Sequence, residues 1–186
     1  MRQRKAEMDA TPEAGNGALR YDVFESTWGW VAVCGSSKGI RYATLPASGP
    51  HHAAGDLEDA MRRPLPALQP GAFEAYERQL AEYFGGRRAS CDVELDLEGA
   101  SPFFRRAWEA CRSIPPGETR SYEWLAAAAG NVRAARGAGQ AMARNRVPIV
   151  VPCHRVIGKD GGLHGFGGAG LPLKARLLQL EAARKE

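Results

Sequence analysis

The sequence predicts an α/β N-terminal domain with a small antiparallel sheet, followed by a mainly helical C-terminal domain with a winged helix-turn-helix-like motif. Three observations support this prediction. Residues 21–46 are rich in β-branched and aromatic residues and contain glycine turns, a pattern typical of short strands. From Ser101 onward, segments with apolar residues at helical spacing begin at Ser, Asn or Pro and end at glycine. From Trp124 to Lys159 the chain has no Asp or Glu, although both flanking regions do.

Composition excludes several classes of protein. The 186-residue chain has 44% hydrophobic and 25% charged residues, which is ordinary for a soluble globular protein. No apolar run is long enough to span a membrane, and none follows the charged N-terminus as in a secretory signal. We therefore expect a cytoplasmic protein without membrane contact. The four cysteines form no C-x-x-C pair and no zinc-ligand spacing with the histidines, which favours reduced thiols and no metal site.

The N-terminal domain is predicted to span residues 21–98, after a disordered tail over residues 1–20. Gly35–Gly39 supplies the turn between the second and third strands. Helical periodicity runs from Phe73 to Phe84 and stops at two glycines. The alternating apolar and acidic residues of CDVELDL, residues 91–97, predict a further strand with one exposed face.

The connection between the third strand and this helix is rich in Pro, Gly and Ala, which predicts a loop. It contains the adjacent histidines His51 and His52. We interpret them as an exposed surface pair rather than as metal ligands.

The second predicted domain, residues 101–184, begins with a helix. Ser101 is a good cap, and Pro102 suits the first helical position. The helix ends at Ile114–Gly117. Its apolar face consists of Phe104, Ala107, Trp108 and Cys111. We therefore predict that Cys111 belongs to the core.

Two further helices predict a helix-turn-helix shape. Ser121 caps a helix over residues 122–129, and Asn131 then caps a third helix of about a dozen residues. Helix pairs of this shape bind DNA in some proteins and are packing units in many others, and composition alone leaves both open. The acid-free run carries six basic residues, which adds a polyanion as a candidate partner.

The third helix consists largely of residues with small side chains or none. Gly137 and Gly139 lie inside it, although a glycine in a helix costs about 0.5–1 kcal/mol relative to alanine. Close packing against a neighbouring helix is one explanation. The other is that the backbone lies against a wide, flat partner, with Arg136 as the one long probe.

The stretch VPIVVPCHRVIG, residues 147–158, places Cys153 and His154 directly after a proline-bounded apolar run. A buried cysteine is usually a small hydrophobe, but one beside a base can be a nucleophile. Neighbours in an extended strand point to opposite faces, so contact between the two needs a turn or an intervening water. Glu181, on a final helix predicted from Pro172, could orient the imidazole or face solvent.

Five motifs follow one another across residues 103–181: IPPGETRSY, AARGAGQAM, Asn145 before VPIVVPCHRV, GFGG, and K-x-x-LL-x-x-E ending at Glu181. Their order and spacing resemble the catalytic domain of the O6-alkylguanine-DNA alkyltransferases, also called methylated-DNA–protein-cysteine methyltransferases. The N-terminal half resembles the family's variable α/β domain only in outline. Phe166, Gly167 and Arg146 stand where tyrosine, serine and proline are common in the family.

The resemblance implies a DNA repair reaction in which Cys153 is the nucleophile and permanent acceptor of the alkyl group. His154 would act as base through a water, oriented by Glu181. Asn145 would hold the turn that aims the cysteine, and Tyr122 would donate a hydrogen bond or proton to the departing guanine. The implied contacts to the substrate base involve Tyr122, Met142, Val156 and Gly167.

The resemblance also implies the partner, double-stranded DNA containing O6-alkylguanine, with O4-alkylthymine as a second candidate substrate. The third helix would lie in the minor groove, where Ala135 and Gly137 permit close approach and Arg136 fills the gap left by a flipped base. Phosphate contacts are implied for Arg133, Arg144 and Arg146. No cofactor is implied, and each molecule would act once. We expect a monomer.

Two alternatives remain at this point. The first is a protein that recognises alkylated bases without repairing them, although such members of the family lack the acceptor cysteine. The second is a cysteine hydrolase built on the Cys153–His154 pair. A hydrolase would leave the arginine-bearing helix and the acid-free run unexplained.

Overall fold

The computed structural model describes residues 17–164 and 170–183. In chain order its elements are β1 (Arg20–Ser26), β2 (Gly29–Ser36), β3 (Gly39–Ala43), α1 (Pro50–Met61), β4 (Ala67–Leu68), α2 (Glu74–Phe84), α3 (Pro102–Arg112), β5 (Arg120–Ser121), α4 (Tyr122–Ala128), α5 (Ala135–Ala143), a 3-10 turn (Cys153–Arg155), β6 (Val156–Ile157) and α6 (Gly170–Ala182). Residues 1–16 of the predicted tail lie outside the described residues, and Arg20 already belongs to β1.

The N-terminal half is a sheet with one helix on each face. Its strand order is β3-β2-β1-β4, in which β1, β2 and β3 are antiparallel, and the turn between β2 and β3 lies where it was predicted. The two-residue β4 pairs parallel to β1, so the sheet is mixed rather than purely antiparallel. Because alternate residues of β2 point to opposite faces, Val31 and Val33 join the main core, and Ala32 and Cys34 pack with α1.

Two predictions for this half are wrong. The segment around His51 and His52 is not a loop but the start of α1, in which both histidines are exposed. Ala53, Leu57 and Met61 recur at helical spacing and bury the inner face of α1, a periodicity that the Pro- and Gly-rich composition obscured. Residues 91–97 form no regular strand: in the described part of the chain their backbone pairs with β3 at one isolated bridge, Ile40–Leu95, and Asp96 binds Arg41 of β3 through its side chain.

The predicted helix starts of the C-terminal half hold for α3 and α4. Ser101 Oγ accepts from Phe104 N at 3.3 Å, and Ser121 Oγ accepts from Trp124 N at 3.1 Å. On α3, Trp108 and Cys111 are buried, as expected. The α4 helix packs against both α3 and α5, and α4 and α5 are the two helices for which the helix-turn-helix shape was predicted.

The third predicted helix begins later than expected. Asn131 is not its cap, since Asn131 Oδ1 accepts from Arg133 N at 3.2 Å in a local turn and α5 starts only at Ala135. This kind of turn competes with helix formation, because the short side chain satisfies backbone groups locally. Arg133 therefore lies in the turn that precedes the helix.

The two halves meet at several points. Ala43 N of β3 donates to Arg146 O at 2.8 Å. On the opposite side, Trp28 stacks on Phe84 with ring centroids 4.6 Å apart, and the Arg176 guanidinium lies 3.6 Å from the Trp28 ring centroid. The N-terminal half therefore touches both the segment before Cys153 and the helix α6. None of the described helices is long and apolar enough to cross a membrane.

Candidate active site

Cys153 begins the 3-10 turn at the end of a folded-back segment. In that segment Val151 N donates to Val147 O at 2.9 Å, and Cys153 N donates to Val151 O at 2.8 Å. Between them Ile149 has φ 74, a left-handed conformation that is an outlier for a β-branched residue. The chain thus reverses sharply before the cysteine, which is only 9% exposed.

Asn145 holds this reversal with both ends of its amide. Its Oδ1 accepts from Val147 N at 3.0 Å, and its Nδ2 donates to Val151 O at 2.8 Å and to Cys153 Sγ at 3.1 Å. One side chain therefore fixes the turn and orients the sulfur.

The step from Cys153 to His154 lies in the 3-10 turn, so the two side chains are not on opposite faces. A 3-10 helix has about 3.0 residues per turn, which separates successive side chains by about 120°. His154 is fully buried, and its Nε2 lies 2.8 Å from Glu181 Oε1. Because a carboxylate only accepts hydrogen bonds, Nε2 carries the proton and Nδ1 is the basic ring atom.

Glu181 is 1% exposed, so the alternative of a solvent-facing glutamate is wrong. Besides the imidazole, it accepts from Tyr83 Oη at 2.7 Å and from Gly117 N at 3.1 Å. Arg155 binds both carboxylate oxygens, with Nε 2.9 Å from Oε2 and Nη2 2.8 Å from Oε1. A bidentate pair of this kind is charge-assisted and directional. The carboxylate is thus held by four residues from three parts of the chain.

Burial and these hydrogen bonds set the protonation of the site. Burial alone would raise the pKa of Glu181, but the hydrogen bonds from His154 and Arg155 hold that pKa well below its usual range. Burial lowers the pKa of His154 despite the adjacent carboxylate. Burial raises the pKa of the Cys153 thiol, although the Asn145 amide and the Lys174 charge oppose the increase. At neutral pH the site therefore holds a thiol, a neutral imidazole and a carboxylate, as general-base activation of a nucleophile requires.

Lys174 is a further buried cation next to this site. Its Nζ donates to Val156 O at 2.7 Å and to His164 O at 3.1 Å. Burial lowers its pKa, and no carboxylate pairs with it within the described part of the chain. Lys174 therefore ties α6 to the backbone just beyond Cys153, and its charge favours the thiolate form of the cysteine.

Tyr122 and Val156 are brought together by the short strands. β5 pairs parallel with β6, with Arg120 opposite Val156. Tyr122, the first residue of α4, directly follows β5, the strand that pairs with the residues after the 3-10 turn. Its ring is half-buried, and burial raises its pKa, so the phenol keeps its proton at neutral pH and remains a hydrogen-bond donor. Met142, on α5, is buried in the same cluster as Cys153.

The outer surface of α5 is a basic stripe. The exposed residues of α5 and its C-terminal cap are Arg136, Gln140, Ala143 and Arg144, at helical spacing. Arg133 is exposed in the turn before the helix. Gly137 faces the other way, because a Cβ built there would lie 3.3 Å from Phe103 Cε1. Close helix packing thus explains Gly137, and the exposed stripe remains available to a partner.

Arg146 is less exposed than its neighbour Arg144. Its Nη1 donates to Glu98 O at 2.8 Å, and its guanidinium lies over the rings of Tyr42 and Trp108, 5.3 and 5.8 Å from their centroids. Phe166 and Gly167 lie outside the described residues. Among the residues that the structure does describe, no group of His, Cys, Asp and Glu could hold a metal ion.

Comparison with known proteins identifies related sequences. Residues 102–183 match the family model of the 6-O-methylguanine DNA methyltransferase DNA-binding domain. The constitutive methylated-DNA–protein-cysteine methyltransferase of Bacillus subtilis is 47% identical over 112 residues, which is 60% of this chain and 67% of that protein. The methylated-DNA–protein-cysteine methyltransferase of Methanosarcina barkeri is 38% identical over 166 residues, which is 88% of this chain and 97% of that protein.

The chain belongs to the methylated-DNA–protein-cysteine methyltransferase family.

Solved structures agree with this assignment. Mycobacterium tuberculosis OGT in complex with DNA aligns with a TM-score of 0.73 and 38% identity, covering 89% of this chain and 94% of that one. The O6-methylguanine-DNA methyltransferase of Pyrococcus kodakaraensis aligns with a TM-score of 0.63 and 26% identity, covering 88% and 98%. The predicted fold class, a small sheet domain followed by a mainly helical region, is thereby confirmed for this family member.

Four residues of the site were not singled out from the sequence. Arg155 was noted only within the basic run and the motif around Cys153, yet it is buried and paired with Glu181. Tyr83 reaches the same carboxylate from the N-terminal half, and no local pattern could have linked two residues 98 positions apart. Gln140 could have been found, because it lies four residues after Arg136 on the same helix face. Lys174 stands in a matched motif, but its burial is a tertiary feature.

Proposed function

We propose that this protein repairs duplex DNA by moving the alkyl group of O6-alkylguanine irreversibly to Cys153, once per molecule and as a monomer. The observation that carries the proposal is the arrangement of the buried Cys153, His154 and Glu181 with the half-buried Asn145. It joins a sulfur held by an amide to a neutral imidazole held by a carboxylate. We further propose two domains, residues 21–98 and 101–184, with the chemistry in the second.

In the proposed reaction, the thiol proton leaves Cys153 Sγ through a water to His154 Nδ1. Glu181 holds the opposite ring nitrogen and stabilises the imidazolium that forms. The Sγ–carbon bond forms as the carbon–O6 bond breaks, and the guanine that leaves carries the bonding electrons. The proton returns to the purine, and Tyr122 donates a hydrogen bond that stabilises the departing base. The products are an alkylated cysteine and unmodified guanine, with no cofactor.

Base flipping follows from the burial of the sulfur. A base stacked in a duplex cannot reach a thiol that is 9% exposed, so the nucleotide must leave the stack at a cost of a few kcal/mol. Arg136 is the longest side chain at the N-terminal end of the exposed α5 stripe and is proposed to fill the gap. Ala135 keeps that end of the helix small, whereas Gly137, which was expected to do the same, faces Phe103 of α3. Val156, Met142 and Gly167 are proposed to contact the flipped base.

Phosphate contacts are assigned to the exposed Arg133 and Arg144, and to Arg146 from its fixed position beside Glu98. Such contacts release counterions, so binding should weaken with salt and depend little on sequence. O4-alkylthymine in duplex DNA is the second substrate that we propose to test.

The test is a titration of a duplex carrying one O6-methylguanine with increasing amounts of protein. Restored guanine should reach a plateau at one per protein molecule, however long the incubation. Continued turnover, on this substrate or on an ester, would favour a cysteine hydrolase. Tight binding without any restored guanine would favour a recognition protein.

A further inference from the structure

A groove of about 620 Å³ lies between the two halves, and Asn145, which also contacts Cys153 Sγ, is one of its lining residues. Its walls come from the C-terminal end of α1, the N-terminal end of α3 and the C-terminal end of α5. Arg62, Arg144 and Arg146 line it, against one carboxylate, Asp59. The reaction proposed above uses no part of Arg62 or of α1.

The groove has the chemistry of an anion site. Arg62 and Arg144 are exposed, and in the described residues neither forms an ion pair. Arg144 lies 5.9 Å from the ring centroid of Phe104, and Arg146 lies over Trp108, so aromatic walls fix both guanidiniums. The α3 helix also turns its N-terminal end toward the groove at Ser101, which favours negative charge there.

The groove continues the exposed stripe of α5. Arg136 lies near one end of that helix, and Arg144 follows the other end as its C-terminal cap residue. A nine-residue helix is about 13 Å long, which corresponds to about four base pairs along duplex DNA. A duplex held by Arg136 would therefore pass the mouth of the groove about four base pairs further along.

We propose that this groove binds the phosphate backbone of the flanking duplex, with Arg62 of the N-terminal half as its outer contact. The position along the DNA rests on the proposed function, because Arg136 at the displaced base sets the register. The affinity for backbone phosphate does not depend on alkyl transfer. The N-terminal half is thereby a part of the DNA-binding surface.

The experiment measures the salt dependence of duplex binding by fluorescence anisotropy, using undamaged DNA and the intact chain. Arg62→Gln should reduce the slope of log affinity against log salt by about 0.9, the value expected for one lost phosphate contact. Arg62→Lys should keep the slope. Arg63→Gln is the matched control, since Arg63 is the exposed next residue but does not line the groove. Asp59→Asn should strengthen binding, a gain that misfolding cannot produce.

A second measurement places the contact. In a Cys153→Ala background, a duplex with O6-methylguanine is shortened on one side of the lesion and then on the other. When the arm that reaches the groove is shortened to about three base pairs, the salt slope of the protein that keeps Arg62 should fall by about 0.9. The salt slope of Arg62→Gln should not change.

The outcomes separate the two proposals. Equal salt slopes for the Arg62 and Arg62→Gln proteins, or an equal loss in Arg63→Gln, would overturn the groove assignment. A salt slope that does not change when either arm is shortened would also overturn it. A failure of alkyl transfer with the slope difference intact would count against the proposed function alone.

Discussion

Glu181 Oε1 accepts a hydrogen bond from His154 Nε2 at 2.8 Å while Arg155 binds both oxygens of the same carboxylate. The arginine balances the charge of Glu181, and burial keeps the imidazole neutral. Glu181 can therefore hold the imidazole in position by a hydrogen bond while His154 stays neutral in the resting state. The same contacts therefore contribute both to the stability of the fold and to the orientation of the base proposed to activate Cys153.

Glu181→Gln should be costly in two ways. It leaves the buried Arg155 without its anion, and removal of one partner of a buried ion pair costs about 3–5 kcal/mol of unfolding free energy. Alkyl transfer should also slow, on the order of a hundredfold, because the base loses its orientation. Denaturant unfolding and single-turnover kinetics measure the two effects.

The matched control is Glu118→Gln. Glu118 pairs with Arg120 at 2.8 Å, but both side chains are more than a third exposed. Its loss should change the unfolding free energy by less than about 1 kcal/mol. Comparable losses in the two variants would contradict the account of Glu181.

Tyr83→Phe tests whether the N-terminal half supports the reaction. The change removes only the hydroxyl that donates to Glu181, so the unfolding free energy should fall by about 1.5–3 kcal/mol and alkyl transfer should slow. Tyr76→Phe is the control, because the Tyr76 hydroxyl is buried with no hydrogen-bond partner within residues 17–164 and 170–183. Loss of that hydroxyl should be neutral or stabilising. Equal effects of the two changes would show that the Tyr83 contact is unimportant.

The pH dependence has a defined sign. The folded-state pKa of His154 is below its ordinary value of 6.5, so the unfolded chain binds the extra proton first. Stability should therefore be full above about pH 6.5 and should be lost as the pH falls through the folded-state pKa.

The transfer rate should stay level from neutral pH into this range and fall only once His154 is protonated. Melting curves and rates across pH, with the exposed His51→Gln as control, check this. A rate already halved near pH 7 would contradict a neutral buried imidazole.

The sequence predicted those parts of the molecule that local chemistry determines. Ser101 and Ser121 cap their helices, and Trp108 and Cys111 are buried, because a hydroxyl before a helix and apolar residues at helical spacing have local consequences. Asn131 was misjudged because its side chain makes a turn instead of a cap. Composition hid the α1 helix, whose apolar spacing was present in the sequence.

The arrangement of the site depended on contacts between distant residues. Motifs identified Cys153, His154 and Glu181, but nothing in the sequence indicated that Arg155 would turn inward to the same carboxylate. Tyr83 comes from the other half of the chain, and its hydroxyl reaches Glu181 only after the halves pack together. Pairings of this kind arise from tertiary packing and leave no periodic signal.

The two glycines of α5 differ in how much room a side chain would have. A Cβ at position 139 would lie 4.0 Å from Tyr122 Cδ1, an ordinary contact, so Gly139→Ala should raise the unfolding free energy by about 0.5–1 kcal/mol. A Cβ at position 137 would lie 3.3 Å from Phe103 Cε1, and Gly137→Ala should gain less or lose stability. Thermal unfolding of the two variants gives the comparison. A larger gain at position 137 would show that helix packing does not require that glycine.

The most direct test of the central claim is the mass of the protein after reaction with a duplex carrying one O6-methylguanine. We predict that one methyl group replaces one hydrogen per molecule, that peptide analysis places it on the fragment containing Cys153, and that Cys153→Ala shows none. A methyl group on a different residue, or an unchanged mass although the duplex is bound and the lesion is lost, would contradict the assignment of Cys153 as the acceptor.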